Sequence, residues 1–370
     1  MSMPNITILN AGPGMGFYIP GIIMHRQLKS AGIDSCVHVF ERFYQQQKKD
    51  IIPQIKSTFQ ENFSIALLAH KLARNPQDAL DDQAVGELLA LWVKEQRRHF
   101  VVFSGFWLPI LQRYRELIHP IELQIDCCHL DADYSVSWKM HMDIHAGMNN
   151  KWFHHWEEQA INYHIDVDNG MPLPFEERTN NLLIHGGGWG LGDFEKQAAR
   201  LFDTQYNLSM VAYGNRDFKK EDARIHFYHL SSEWNIWDTD ENGEHGFPPL
   251  YDVDRDHDYT QHRLNDAPYS PLYQIAKSSK AIICKPGAGT LIDSLSAATP
   301  LIILEPYGKS EDKNGLLWKH HGLGMSFDDW AAGGFSHEAL ERMHVNLLAM
   351  RAKSQNYIQL YIKNLHHNRD

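Results

Sequence analysis

Residues 280–299 read KAIICKPGAGTLIDSLSAAT. The apolar run Ala281–Cys284 has the length and content of a buried strand, and GTLIDSLSAA has those of a helix. Between them lies a turn built of Gly287, Ala288, Gly289 and Thr290. Strand, glycine turn and helix in that order form the repeating unit of a parallel sheet. The turn falls at a helix N-terminus, where unpaired N–H groups and the helix dipole suit a diphosphate. Asp293 follows one turn into the helix, where a carboxylate could accept a ribose hydroxyl.

Two further glycine turns stand in corresponding places, GPGMG at 12–16 and GGGWG at 186–190. In a parallel sheet such turns gather at the carboxyl ends of the strands, where ligands bind. None has the G-x-x-x-x-G-K-[ST] spacing of a phosphate-binding loop. GPGMGF also fails G-x-G-x-x-G, because Phe17 stands where the last glycine belongs. A nicotinamide-type dinucleotide site is therefore poorly supported.

Around these turns β and α character alternates. ITILN, DSCVHVFE, HFVVFSGF and IELQIDCCHLDA read as strands; IPGIIMHRQLKSAG, residues 51–97 and LPILQRYREL read as helical. The stretch DVDNGMPLPFEERTNN, 166–181, reads as a linker, after which the pattern restarts with NLLIHGGGWG. Residues 234–268 read as one long loop and 336–365 as one long helix. The fold class expected is α/β, with two Rossmann-like domains of similar plan. A chain of 370 residues suits two domains.

A net charge of −11 argues against a nucleic-acid partner, since phosphate backbones call for a basic face. No apolar run reaches the ~18 residues of a membrane span, and the N-terminus lacks the charge-then-apolar order of a signal peptide. Cys36, Cys127, Cys128 and Cys284 form no C-x-x-C spacing and read as free thiols in a reducing cytosol. Adjacent Cys127 and Cys128 are expected on opposite faces of a strand.

Residues 284–324, CKPGAGTLIDSLSAATPLIILEPYGKSEDKNGLLWKHHGLG, resemble the donor-binding signature of GT-B nucleotide-sugar glycosyltransferases. UDP-glycosyltransferases and the peptidoglycan N-acetylglucosaminyltransferase share such a run. The resemblance implies two Rossmann-like domains facing a cleft: an acceptor-side domain at 1–170, a nucleotide-sugar domain at 180–335, and a C-terminal helix, 336–370, crossing back. On it Gly287, Ala288, Gly289 and Thr290 fall on the diphosphate turn and Asp293 on the ribose-binding acid. Glu311 falls where the family has a sugar-contacting Gln, and Asn314 on the family's Asn. Gly187, Gly188 and Trp189, with Gly14, Gly16 and Ser270, complete the donor-binding residues expected. The implied reaction moves a sugar from a UDP-sugar or related donor to a small-molecule acceptor, in natural product biosynthesis. It is metal-independent and inverting, with no cofactor beyond the co-substrate. A homodimer is one state the sequence allows.

The family often places a histidine at the first turn as base or ligand contact. Here that position is Phe17, which cannot take a proton. Substitute bases cluster after IELQIDCC: Asp131 first, then His129, with Asp133 beside them. His141 and His145 have i,i+4 spacing, which suits a shared helix face or a metal, but no third ligand is fixed. Phe17, Phe106 and Trp107 are the aromatics expected on the acceptor side. The missing histidine also leaves open a nucleotide-sugar hydrolase or epimerase, or a non-catalytic partner on the same fold.

Overall fold

The computed structural model describes residues 4–12, 15–72, 75–213, 224–253, 264 and 269–367. Five strands form the first sheet: β1 (Ile6–Asn10), β2 (Ser35–Val39), β3 (His99–Val102), β4 (Gln124–His129) and β5 (Asn149–Trp152). They run parallel in the order β2-β1-β3-β4-β5. Short pieces follow: β6 (His154–His155) pairs antiparallel with β7 (Ala160–Ile161), and β8 (Tyr163–His164) awaits a partner from the far end of the chain.

The second sheet contains β9 (Asn181–Ile184), β10 (Asn207–Tyr213), β11 (Ile225–Leu230), β12 (Leu250–Asp252), β13 (Ala281–Cys284), β14 (Leu301–Ile303) and β15 (Gly324–Ser326). Its order is β12-β11-β10-β9-β13-β14-β15, parallel except for the edge strand β12. Strands β9, β10 and β13 are buried almost throughout, as a sheet covered on both faces requires.

The strands read from sequence are all present. Residues 51–97 resolve into helices Gln46–Glu61, Phe63–Lys71 and Asp82–Lys94. Residues 234–268 are not wholly a loop, since β12 lies within them; 254–263 and 265–268 lie outside the described residues. The single helix expected at 336–365 is two, His337–Lys353 and Tyr357–His367. Between them β16 (Gln355–Asn356) pairs with β8, and the Ser354 Oγ lies 2.8 Å from His164 Nδ1. That long-range pairing breaks the helix; no Pro or Gly does.

Cys127 and Cys128 enter different cores, as their alternation requires. Cys127 joins the aromatic cluster around Trp92, Trp107 and Tyr114. Cys128 joins the layer between the two sheets, where Ile8, Tyr18 and Ile22 meet Tyr273, Ala288 and Ile292. The last helix crosses back onto the first sheet here. Tyr357, 3% exposed, donates to Asp126 Oδ2 at 3.0 Å and accepts from Cys128 Sγ at 3.4 Å.

A second tie joins the loop before β12 to the first helix, Ile19–Ser30. Tyr18 donates to the Gly246 carbonyl at 2.7 Å, while His25 and Lys29 meet the Glu244 carboxylate at 2.8 and 2.6 Å. His25 is thus a buried structural link, its pKa lowered by burial against the pull of Glu244.

The docking of the last helix yields a graded prediction. Tyr357→Phe should cost about 1 kcal/mol for the lost hydrogen bonds. Tyr357→Ala should cost about 3–5 kcal/mol, because the aromatic ring fills the layer between the sheets. Chemical denaturation of the two variants measures both.

Candidate functional site

The carboxyl ends of the two sheets face one another across a cavity of about 460 Å³. All three glycine turns meet at its centre. The turn ending at Gly16 presses on the start of helix Ala288–Ala297: a Cβ on Gly16 would stand 3.4 Å from Gly289 N, and a Cβ on Gly289 3.5 Å from the Gly16 Cα. It also presses on the 186–190 turn, where a Cβ on Gly188 would lie 2.6 Å from Met15 N. Gly187 has φ +74°, in the left-handed region that disfavours any side chain. Gly14 lies outside the described residues.

Lys285 sits between the two C-terminal turns. Its Nζ is 3.2 Å from where a Gly187 Cβ would be and 3.7 Å from where a Gly287 Cβ would be. Glu311 holds it there, with Oε1 2.9 Å from Nζ and Oε2 accepting Tyr307 N–H at 2.6 Å. Burial opposes the ammonium charge, but Glu311 more than offsets it, so the lysine pKa lies above its ordinary value. Both oxygens of Glu311 are therefore engaged in bracing Lys285 and the Tyr307 loop. A positive side chain, the free N–H groups of a helix start and small turns on either side make an anion cradle.

Gly16, Phe17, Phe106, Gly187, Gly188 and Trp189 all line the cavity, as do Ser270, Gly287, Ala288, Gly289 and Thr290. Asp293 also lines it, and burial raises its carboxyl to about 7. Asp131 also lines it, 5% exposed. Burial raises the Asp131 carboxyl to about 7 against the hydrogen bond from Asn314. That bond, Asn314 Nδ2 to Asp131 Oδ1 at 2.7 Å, leaves Oδ2 without a partner among the described residues.

Three expected site residues fall elsewhere. His129 is buried behind the cavity wall, stacked on Trp152 at 4.4 Å and against Trp138, with Nε2 2.7 Å from Asn150 Oδ1. It shares a strand face with Cys127, and that face packs into the aromatic core; burial lowers its pKa to about 4. Trp107 is also wholly buried there and donates to the Asn10 carbonyl at 2.7 Å. Asn314 is 0% exposed and contacts protein on every side: it accepts Ala132 N–H at 2.6 Å and donates to the Pro286 carbonyl at 2.9 Å.

Asp133 pairs with Lys139 at 2.8 Å. His141 caps, and His145 ends, a helix of four residues, so the pair shares no extended helix face. Among the described residues no group of three or more His, Cys, Asp or Glu side chains is arranged to hold a metal ion.

Sequence reasoning missed four cavity groups. Glu41 and His70 come from the first half of the chain, His185 and Lys285 from the second. His185 Nδ1 accepts Gly187 N–H at 3.1 Å, which puts the ring proton on Nε2, and burial lowers its pKa to about 3. His70 packs on Tyr307 at 4.6 Å, one of several contacts by which helices Gln46–Glu61 and Phe63–Lys71 reach over the cavity. Another is the bond from Gln60 Nε2 to the Trp189 carbonyl, at 2.8 Å. Lys285 and His185 lay in plain view, each beside a glycine turn.

No protein-family model matches the chain, and no curated protein matches it by sequence. Solved structures do share its architecture from end to end. The spinosyn rhamnosyltransferase SpnG covers 99% of this chain with 100% of its own, at 10% identity and a TM-score of 0.58. The glycosyltransferase SnogD from Streptomyces nogalater covers 99% with 99%, at 12% identity and a TM-score of 0.55. MurG of Acinetobacter baumannii covers 98% with 99%, at 12% identity and a TM-score of 0.53.

The chain has the GT-B fold. Its two parallel sheets, opposed carboxyl ends and returning last helix are the architecture expected from residues 284–324. No helix among the described residues is long and apolar enough to cross a membrane.

The close approach of the turns is testable. Gly188→Ala must displace Met15 or open the cleft and should cost about 1–3 kcal/mol. Gly86→Ala, in a helix with open space around the added methyl, should instead stabilise by about 0.5–1 kcal/mol. Thermal unfolding of the two variants compares them.

Proposed function

We propose that this protein is a glycosyltransferase that binds a nucleoside diphosphate sugar and passes the sugar to an apolar small molecule. The observation that carries the reading is the anion cradle. Lys285, the start of helix Ala288–Ala297 and the 186–190 turn converge on one point of a cavity between two GT-B halves. A diphosphate seated there would gain most stabilisation as its sugar departs and negative charge builds on it. Asp293, one turn into the helix, would accept a ribose hydroxyl. SpnG is also solved in complex with thymidine diphosphate, which favours a uracil- or thymine-type nucleotide here.

The transfer we propose is a single displacement with inversion and without a metal ion. An acceptor hydroxyl attacks the anomeric carbon as the bond to the diphosphate breaks, and the proton passes to Asp131. Phe17 cannot serve, and Asp131 is the carboxyl on the cavity wall that Asn314 ties to the diphosphate turn. Its free Oδ2 is the atom offered to the proton. The protein would act in the metabolism of glycosylated natural products.

Two measurements test this reading. UDP or TDP should raise the melting temperature while NAD leaves it unchanged, and Lys285→Met with Glu311→Gln should weaken nucleotide affinity at least about tenfold. No response to any nucleoside diphosphate would remove the donor site. Nucleotide binding without turnover on any acceptor would favour the non-catalytic alternative that Phe17 raises.

For the base, kcat/KM for the donor should rise with pH through about 7, since only the ionised carboxyl takes a proton and burial sets its pKa there in the free protein. Asp131→Asn should lower kcat by about 10²–10⁴ without weakening UDP affinity, since it removes a negative charge near the diphosphate. Steady-state kinetics from pH 5.5 to 8.5 with UDP titrations reads both. A full rate in Asp131→Asn would exclude Asp131 as the base.

A further inference from the structure

One carboxyl group in the cavity has no part in the transfer just described. Glu41 follows β2 in the acceptor-side half, 3% exposed, on the cavity wall. Its Oε1 accepts the Gly12 N–H at 2.9 Å. Its Oε2 is buried and has no partner among the described residues. Buried polar atoms are satisfied in the great majority of cases, and one left open beside a cavity points to a missing ligand group.

The surroundings define what that group is attached to. Ile52, Ile55 and Phe59, from the helix that arches over the cavity, line it together with Tyr44 and Phe106. Phe106 packs on Phe40, the neighbour of Glu41, at 5.6 Å, and Phe40 packs on Tyr44 at 5.7 Å. Lys48 and Ser104 also stand on this lining, but the walls beside Glu41 are mainly apolar and aromatic and suit a hydrophobic ring system bearing a polar substituent. Burial raises the Glu41 carboxyl to about 8 against the backbone hydrogen bonds it accepts, so near neutrality it holds a proton and can both give and receive a hydrogen bond. A hydroxyl matches that double capacity.

We propose that Glu41 is an acceptor-recognition residue: the acceptor is an apolar ring system with a hydroxyl that hydrogen-bonds to Glu41 Oε2 in a pocket walled by Ile52, Ile55, Phe59 and Phe106. The word acceptor rests on the transferase reading; the pocket and its chemistry do not. A site built around a hydroxyl rejects the analogue lacking it, because its own buried polar atom is then left unpaired.

The probes are 2-naphthol and its near-isostere 2-methylnaphthalene, titrated calorimetrically into wild type, Glu41→Met and Glu41→Gln, with UDP binding measured on the same samples. Wild type should prefer 2-naphthol by about tenfold or more. Glu41→Met should lose or reverse that preference, and Glu41→Gln, which can still bond a hydroxyl, should keep its direction. Equal affinity in wild type, no binding of either probe, or an undiminished preference in Glu41→Met would each overturn the proposal. Should Glu41→Met not fold, a crystal structure of wild type with 2-naphthol decides, by whether the hydroxyl lies within about 3 Å of Oε2. If UDP fails to bind while the naphthol contrast holds, the transferase reading falls and the Glu41 pocket stands. If UDP binds and the contrast is absent, this inference alone falls.

Discussion

The site depends on a single buried amide. Asn314 has no exposed surface, and two of its three hydrogen bonds tie one half of the molecule to the other while the third holds it to its own half. Its oxygen takes Ala132 N–H and its nitrogen gives to Asp131 Oδ1, both on the turn after β4; the same nitrogen gives to the Pro286 carbonyl, in the turn after β13. A carboxylate there would lack the donors, and an apolar side chain would leave three polar groups unpaired at about 1–3 kcal/mol each. The amide fixes where Asp131 stands relative to the glycine turn that opens helix Ala288–Ala297. The glycine turns then complete what the amide begins: Gly16 and Gly289 bring their backbones to within contact of one another, and Gly188 lies against Met15 with no room for a side chain. A hinge that opened the cleft at this point would have to break all the buried hydrogen bonds that Asn314 makes across it.

Much of this fold is legible from local pattern, because local pattern is what a doubly covered parallel sheet imposes. Its strands must be apolar throughout and its turns must be small, and both marks show in AIICKPGAG and NLLIHGGGWG. What escapes is set by contacts distant in sequence. The break at Ser354–Asn356 carries no proline or glycine and arises from pairing with Tyr163–His164, roughly 190 positions away. Asn314 is visible as a residue of interest, but its partners at 131, 132 and 286 are not. Glu41 follows an unremarkable strand, and nothing local marks its buried oxygen. His129 is the instructive case. Its position at a strand end is right for a cleft residue, yet it shares the face of Cys127, and alternation along the strand sends it into the aromatic core.

The electrostatics of the cavity resolve an apparent conflict. A chain of net charge −11 is a poor host for a diphosphate, and Asp131, Asp293 and Glu41 all face the space it would occupy or adjoin. Burial raises these carboxyls to about 7, 7 and 8, so near neutrality much of their charge is absent. Lys285 keeps its charge because Glu311 stays beside it. A buried ion pair of this kind adds little to stability on balance. Its value is that the ammonium stands already oriented between the two glycine turns before any ligand arrives.

On the proposed reading, in which Asp131 takes the acceptor's proton, the same fields bear on the timing of that transfer. A diphosphate bound at the cradle places negative charge near Asp131, and like charge raises a carboxyl pKa further. In the free protein Asp131 would be divided between its two forms at neutral pH. With donor bound, its ionised form becomes a stronger base, and the hydrogen bond from Asn314 keeps that form accessible. A base of higher pKa has more driving force to take a hydroxyl proton, at the cost of a smaller ionised fraction. On that reading the arrangement would couple donor occupancy to base strength, and Asn314, which touches both turns, sets the distance between them.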